Sequence, residues 1–239
     1  MVPLAVTFDF WNTLFVSSPG GVEVRQKFWE SVVKDRKLNI SSHLLLSVLS
    51  MLPERFESEW EAGRQYTAKE AMKEAFAVFG SRITSSDQEA LSEAFDRASS
   101  ELVVDLVVGA PEVLAKLASK GVALGLVSDT SLSAGRHLRK YLKSFGLLEY
   151  FGALAFSDEV GVYKPDSKIF LAALTKLGID DPSKAVHVGD LRRTDVMGAR
   201  TLGMTTIRFQ GVVSDQGDYP EADEVIDNLL DLPRVIGFN

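Results

Sequence analysis

The sequence predicts an α/β protein with a parallel sheet, on three observations. Short apolar runs with little polar alternation recur along much of the chain, which is typical of strands buried on both faces. Segments with helical start and stop signals lie between most of these runs, and such alternation implies crossover connections. The interval from about 17 to 101 has only helical stretches. We therefore predict a three-layer, Rossmann-like parallel sheet core with an inserted all-helical block.

The predicted elements of the core are short and bounded by residues that end strands or helices. The strands are Leu4–Phe8, Val122–Val127, Ala153–Phe156, Ala185–Val188 and Thr205–Phe209. The helices are Pro111–Ser119, Leu132–Phe145, Lys168–Leu177 and Asp195–Leu202. A glycine follows each helix within two residues, as is common at helix C-termini.

The interval without strands predicts a separate helical unit. Its clearest helices are Val24–Lys37, Leu44–Leu49, Thr67–Phe79 and Asp87–Ser100. Joints that contain Ser, Gly or Pro separate them. We expect residues 1–16 and 102–239 to form the α/β core and residues 17–101 to form the helical insert.

The composition excludes several classes of protein. The apolar share of 46% and the charged share of 25% are typical of a globular chain, not a disordered or collagenous one. The net charge of −7 gives no broad attraction for nucleic acid or anionic membranes. No apolar stretch approaches membrane-spanning length. Because the chain has no cysteine and no recognisable secretory signal, we expect a cytoplasmic protein. The acidic segment Glu221–Asp231 is predicted to be solvated surface.

Polar residues of a restricted kind follow the predicted strands. They are Asp9 after the first strand, Ser128-Asp129 after the second, Lys164 beyond the third, and Asp190 with Asp195 after the fourth. Ligand sites of parallel sheets lie beyond the carboxyl ends of the strands. A carboxylate can attack phosphorus, magnesium is bound by oxygen ligands, and a hydroxyl and a lysine can neutralise phosphoryl oxygens. The set therefore indicates phosphoryl transfer.

The same residues resemble the four motifs of the haloacid dehalogenase-like (HAD) hydrolase superfamily, in order over almost the whole chain. Asp9 in Asp9-Phe10-Trp11-Asn12-Thr13 is similar to motif one, and Ser128 to motif two. Lys164 before Pro165 is similar to motif three, and Gly189-Asp190 through Asp195 to the acidic motif four of magnesium-dependent members. The helical insert lies where one class of family members carries a cap.

The resemblance implies a role for each residue. It implies a magnesium-dependent phosphohydrolase that acts on a small phosphorylated metabolite through an aspartyl-phosphate intermediate on Asp9. The expected catalytic residues are Asp9, Ser128, Lys164 and Thr13. The expected substrate-binding residues are Ser128, Asp129, Lys164 and Trp11. The expected Mg²⁺ ligands are Asp9, Asp190, Asp195 and the backbone carbonyl of Trp11. The cap is expected to set substrate choice.

One position departs from the pattern. Most phosphatases of the family carry a second Asp two residues after the nucleophile as general acid and base, and here that residue is Trp11. Dehalogenases of the family also lack this Asp, but they use no metal, so Asp190 and Asp195 favour the phosphatase. Two alternatives stay open: a 2-haloacid dehalogenase, and a catalytically weak HAD-like binding module.

Overall fold

In the computed structural model, which describes residues 2–238, the chain divides into two compact units. The sheet unit comprises the residues up to Val16, Val104–Asp129, and the residues from Tyr141 onward. The helical unit comprises Ser17–Val103 and Thr130–Lys140.

A six-stranded parallel sheet forms the centre of the sheet unit. The strands of the described chain are β1 (Ala5–Phe8), β2 (Phe15–Ser17), β3 (Val104–Leu106), β4 (Ala123–Ser128), β5 (Ala153–Phe156), β6 (Ala185–Gly189), β7 (Thr205–Phe209) and β8 (Glu224–Ile226). The order in the large sheet is β5-β4-β1-β6-β7-β8, and β2 pairs separately with β3. All five predicted strands are confirmed to within one residue at each end. Every residue of β1 and β6 is buried, which explains why these strands are apolar apart from Thr7 and His187.

The acidic segment after β7 is not only solvated surface, and the prediction for it was wrong in this respect. It contains β8, which pairs with β7 in parallel and is the last strand at that edge of the sheet. Ile226 and Leu229 are buried, whereas the acidic residues of the segment lie mostly on the surface. A three-residue edge strand that buries one side chain leaves no periodic pattern, so the charges dominate the sequence signal.

Helices flank the sheet, as the predicted three-layer architecture requires. The helices of the described chain are α1 (Gly21–Asp35), α2 (Ser42–Glu61), α3 (Ala68–Phe79), α4 (Ser85–Ala98), α5 (Ala110–Ser119), α6 (Gly135–Ser144), α7 (Ser157–Val160), α8 (Ser167–Lys176), α9 (Met197–Thr201) and α10 (Leu232–Val235). Phe170 and Leu174 of α8 and Ala199 of α9 pack in one core with Ala5 and Val127 of the sheet. Helix α5 packs against β4, with α10 beside it.

The helical unit is organised around Trp29 of α1. Its ring packs against Phe79 of α3 and Phe95 of α4, and its indole N–H donates to the carbonyl oxygen of Leu91 at 2.9 Å. Helix α2 continues through Pro53 to Glu61 and is much longer than the predicted Leu44–Leu49. No helix described between Val2 and Phe238 has both the length and the apolar run needed to cross a membrane.

Candidate active site

Three predicted site residues meet because their strands are neighbours. Strand β1 lies between β4 and β6 and pairs with both in parallel. Asp9 follows β1 directly, Ser128 is the last residue of β4, and Asp190 follows β6 directly. Since the carboxyl ends of parallel strands share one edge of the sheet, the two carboxylates and the hydroxyl-bearing residue converge there.

Lys164 forms a buried ion pair with two carboxylates. Its Nζ donates to Asp9 Oδ1 at 2.5 Å and to Asp195 Oδ1 at 2.7 Å. The side chains of all three residues are less than a tenth exposed. The loop that carries the lysine is fixed by Asp129, whose Oδ1 accepts from the backbone N–H of Lys164 at 2.9 Å. The structure thus gives Asp129, predicted as a substrate-binding residue, a contact that positions Lys164.

Asp195 is held by a π-helical turn over Arg192–Val196. Its Oδ2 accepts from the backbone N–H of Leu191 at 3.1 Å, and its Oδ1 accepts from His187 Nε2 at 3.0 Å as well as from the lysine. A Cβ on Gly189 would lie 2.2 Å from the Cγ atom of Asp195. Glycine is therefore required at the end of β6, since any side chain would displace the carboxylate.

Burial and mutual repulsion distinguish the carboxylates. Burial raises the pKa of Asp9 well above its usual value, and the charges of Asp195 and Asp190 add to the effect while Lys164 opposes it. Burial and the charge of Asp195 raise the pKa of Asp190 to about 7. Burial also acts to raise the pKa of Asp195, but Lys164 and His187 outweigh burial and lower this pKa below the usual range.

Lys164 keeps its positive charge although it is buried. Burial lowers the pKa of Lys164, but the charges of Asp195 and Asp9 outweigh burial and raise it above its ordinary value, so the side chain stays an ammonium. One ammonium contacts two carboxylates directly, and the charges of Asp195 and Asp190 add to burial in raising the pKa of Asp9. A further cation would favour the ionised form of these buried carboxylates.

Asn12 has a role that the sequence did not reveal. Its backbone is left-handed, with φ 56°, a conformation that Asn adopts more readily than most residues other than Gly. Its side-chain Nδ2 donates to Asp190 Oδ2 at 3.1 Å. The signal available in the sequence is the Asn itself, a residue common in turns, which indicates a tight turn but not the bond to Asp190.

The remaining predicted site residues, two in the loop after β1 and one at the end of β4, make no contact within the described chain that defines their chemistry. Trp11 is half-buried, and its ring lies edge-to-face on Phe10 with centroids 4.8 Å apart. The Thr13 hydroxyl is buried, and none of the residues described gives it a hydrogen bond. Ser128 Oγ donates to the carbonyl oxygen of Asp129 at 3.1 Å. The roles of these groups toward substrate and metal stay predictions.

The donor set fits a magnesium ion. Within residues 2–238, no three His, Asp or Glu side chains are grouped as a complete metal cage. Magnesium does not require one, because it commonly keeps several waters and is bound through one or two carboxylates. Asp9 and Asp190 are the best candidates, since they follow the neighbouring parallel strands β1 and β6 directly. The Asp195 oxygens already accept bonds from protein donors.

Comparison with known proteins gives one family. A model described as "Hydrolase: haloacid dehalogenase-like hydrolase" matches residues 3–203. A curated relative, the glyceraldehyde 3-phosphate phosphatase of Methanopyrus kandleri, is 36% identical over 121 residues, which cover 51% of this chain and 50% of the relative. The aligned region thus spans about half the length of that relative.

Two solved structures share the fold over nearly the whole chain. An HAD phosphatase from Thermococcus onnurineus is 30% identical, with a TM-score of 0.64, and the match covers 98% of this chain and 97% of the other. A 2-haloacid dehalogenase from Pseudomonas syringae pv. Tomato has a TM-score of 0.68 at 24% identity, covering 99% of this chain and 98% of the other. At that identity the second likeness concerns the fold alone. With the sheet order, the strand-end residues and the family match in agreement, the chain belongs to the haloacid dehalogenase-like hydrolase family.

Proposed function

We propose that the protein is a magnesium-dependent phosphohydrolase that acts on a small phosphorylated metabolite through an aspartyl phosphate on Asp9. The observation that carries the proposal is the buried ammonium of Lys164 on Asp9 Oδ1, with the carboxylates of Asp195 and Asp190 beside it. Such a site suits an anionic substrate only together with a further cation. The names of the curated relative and of the Thermococcus structure, both phosphatases, support the same conclusion.

The residues have distinct tasks in the proposed reaction. An Asp9 carboxylate oxygen attacks phosphorus, the bond from phosphorus to the leaving oxygen breaks, and that oxygen takes the electron pair and then a proton from water, because Trp11 supplies no acid. Water then attacks the phosphorus of the acyl phosphate, which releases inorganic phosphate and restores Asp9. Lys164 and Ser128 hold the phosphoryl oxygens, and Thr13 orders the loop.

A bound Mg²⁺ would supply charge neutralisation between the carboxylates and the phosphoryl group. We assign Asp9 and Asp190 as its side-chain ligands and the Trp11 carbonyl as a backbone ligand. Asp195 is assigned to the same site through a water, because protein donors occupy its oxygens. Asn12 fixes the orientation of Asp190. We also assign substrate selection to the helical insert, residues 17–101.

The assay that tests the function measures phosphate release from an aryl phosphate and from a panel of phosphorylated metabolites, triose phosphates included. We expect turnover with Mg²⁺ and its loss with a chelator. Halide release from a 2-haloacid in the presence of chelator would instead establish the dehalogenase. Binding of Mg²⁺ or of a phosphate analogue without turnover across the whole panel would establish the binding module.

The raised pKa of Asp190 predicts how metal binding depends on pH. In the metal-free folded protein, Asp190 keeps its proton up to about pH 7. In the unfolded chain its pKa is 3.8, so it loses the proton at a lower pH. The free energy of unfolding should therefore decrease as pH rises from about 4 to about 7. Mg²⁺ competes with that proton, so thermal unfolding should show a larger stabilisation by Mg²⁺ at about pH 8 than at about pH 5.5.

The control for this prediction is Asp190→Asn, which keeps the size of the side chain and removes its charge. We expect a weaker dependence of stability on pH between about 4 and 7, and a smaller stabilisation by Mg²⁺ at the higher pH. Equal stabilisation of the variant and the wild type would show that Asp190 does not bind the metal.

Because Trp11 stands where most phosphatases of the family have an acidic residue, we expect the rate of turnover to depend on the leaving group of the substrate. Alkyl phosphates need a proton on the leaving oxygen, so Trp11→Asp should increase their turnover. General acid catalysis typically contributes about 100- to 10,000-fold, and we expect about 100-fold if the new carboxyl is imperfectly placed. Aryl phosphates with acidic leaving groups should gain little. The measurement is kcat/KM across a series of leaving groups.

Trp11→Asn is the matched control, because it also removes the ring from Phe10 but supplies no acid. The two variants should differ for alkyl phosphates and agree for the best aryl leaving groups. If the two variants have the same kcat/KM across the series, the lack of a general acid at position 11 does not limit turnover.

A further inference from the structure

His187 lies in the middle of β6, buried, beside the site but outside the set of predicted catalytic residues. Both of its ring nitrogens have partners from different elements. Nδ1 lies 2.8 Å from Thr7 Oγ1 of β1, and Nε2 lies 3.0 Å from Asp195 Oδ1. The sheet register places Thr7 directly opposite His187, so the first contact is fixed by strand pairing. The imidazole therefore connects the centre of the sheet to the carboxylate.

The partners define which nitrogen carries the proton. A carboxylate oxygen only accepts hydrogen bonds, so Nε2 must donate to Asp195. In the neutral ring Nδ1 is then an acceptor, and it receives the Thr7 hydroxyl proton. Burial lowers the pKa of His187, which favours this neutral form. Asp195 thus determines the tautomer, and the Thr7 hydroxyl orients the ring by donating to Nδ1.

The oxygen that accepts from His187 is the same one that accepts from Lys164. Asp195 Oδ1 receives Nε2–H at 3.0 Å and the lysine Nζ at 2.7 Å, and the same Nζ donates to Asp9 at 2.5 Å. The ring of Phe170 lies edge-to-face on the imidazole, with centroids 5.0 Å apart, and limits its rotation. A continuous path of contacts leads from Thr7 to the proposed nucleophile.

We propose that His187 is a positioning residue which, oriented by Thr7, fixes Asp195 Oδ1 and thereby holds the Lys164 ammonium against Asp9. Hydrogen-bond partners that orient the residues of a metal site commonly affect metal affinity or activity about 10- to 100-fold. The geometric part of the proposal does not depend on the reaction. Its kinetic part rests on the proposed phosphohydrolase function.

Two variants of His187 distinguish the contributions of its two ring nitrogens. The amide nitrogen of Gln reaches the place of Nε2, whereas that of Asn reaches only the place of Nδ1. We expect His187→Gln to keep the donor to Asp195 and to stay within about threefold of wild-type kcat/KM, and His187→Asn to lose about 10- to 100-fold. Because Gln also fills more of the volume of the imidazole than Asn does, the kinetic difference is interpreted together with the NMR signal of Lys164 Nζ, which a role confined to core packing would not move.

A spectroscopic measurement tests the geometry without any substrate. In protein with ¹⁵N-labelled lysine side chains and no metal, Lys164 Nζ should give a slowly exchanging NMR signal, assigned by its absence in Lys164→Met. His187→Asn should shift or broaden it, and His187→Gln should leave it near its wild-type position. Thr7→Val, which removes only the hydroxyl, should produce a smaller shift and provides the readout if His187→Asn does not fold.

His137→Asn is the control for loss of a buried histidine. His137 is also buried and hydrogen-bonded, to Ser100 and Asp96 in the helical unit. Its substitution should lower stability and leave the Lys164 signal in place. An unchanged signal in both His187→Asn and Thr7→Val would overturn the proposal, as would equal disturbance by His187→Gln and His187→Asn. Absence of turnover with an intact pattern of NMR shifts would contradict the proposed function alone.

Discussion

Substitution of Asp9 by Asn should decrease phosphatase turnover by about 10,000-fold or more, the scale seen when an enzyme loses its nucleophile. The amide cannot form the acyl phosphate, and Asp195, the other carboxylate bonded to Lys164, lies in the turn after β6, where it also accepts from His187 and the Leu191 backbone. The measurement is phosphate release from the best aryl phosphate with saturating Mg²⁺, after mass spectrometry has shown that the asparagine has not deamidated.

The same variant should keep or increase its thermal stability. Because burial raises the pKa of Asp9, the folded protein disfavours its charge, and a neutral amide removes that cost. The asparagine Oδ1 can still accept from Lys164 Nζ. Loss of activity without loss of stability would separate a chemical role from a structural one. Asp180→Asn, in an exposed position after α8, is the matched control and should keep full turnover. Undiminished turnover in Asp9→Asn would eliminate Asp9 as the nucleophile.

The sheet and the convergence of its polar residues could be predicted from the sequence for one physical reason. Parallel strands covered on both faces contain almost only apolar residues, so runs such as Ala185–Val188 stand out against their polar flanks. Parallel pairing then places all the carboxyl ends at one edge, so Asp9, Ser128 and Asp190 had to meet once the strands were identified.

Features that depend on contacts between distant segments could not be predicted. Helix α2 continues through Pro53, although proline usually interrupts a helix, so the sequence indicated a shorter element. Strand β8 is defined by its pairing with β7 and not by its own composition. The bond from Asn12 to Asp190 joins residues 178 positions apart. Such bonds depend on backbone geometry that no local pattern encodes.

Asp195 shows the same limit within the site. The resemblance to motif four implies a metal role for Asp195, which stays a prediction, but it gave no sign of the contacts to Lys164, His187 and the Leu191 backbone. The π-helical turn that places these groups around one carboxylate could not be distinguished from the ordinary helix predicted at Asp195–Leu202. The close approach to Gly189 is visible only in three dimensions.

Substitution of Lys164 by Met should decrease both turnover and stability. Removal of one group that stabilises phosphoryl charge commonly costs about 100- to 1,000-fold in kcat. The variant also leaves Asp9 and Asp195 buried without their shared cation, and breaking a buried ion pair from one side costs about 3–5 kcal/mol. Protonation of Asp9, whose pKa is already raised, should offset part of that loss.

The pH dependence of the residual activity identifies the cause of the decrease. Lys164 lowers the pKa of Asp9, so its removal should raise that pKa further, and the nucleophile must be ionised to react. The acid limb of the kcat/KM profile should therefore move to higher pH in Lys164→Met. Lys164→Arg, which keeps the charge, should move it less.

Lys168→Met is the matched control, because it removes an exposed lysine from the beginning of α8, four residues further along the chain. Its activity, stability and pH profile should equal those of the wild type. A Lys164→Met enzyme with reduced kcat but an unmoved acid limb would show that the lysine contacts the phosphoryl group without controlling the ionisation of Asp9. Because Asp195 and Asp9 raise the pKa of Lys164, the ammonium stays charged throughout the neutral range, and a moved limb can be attributed to the carboxylate.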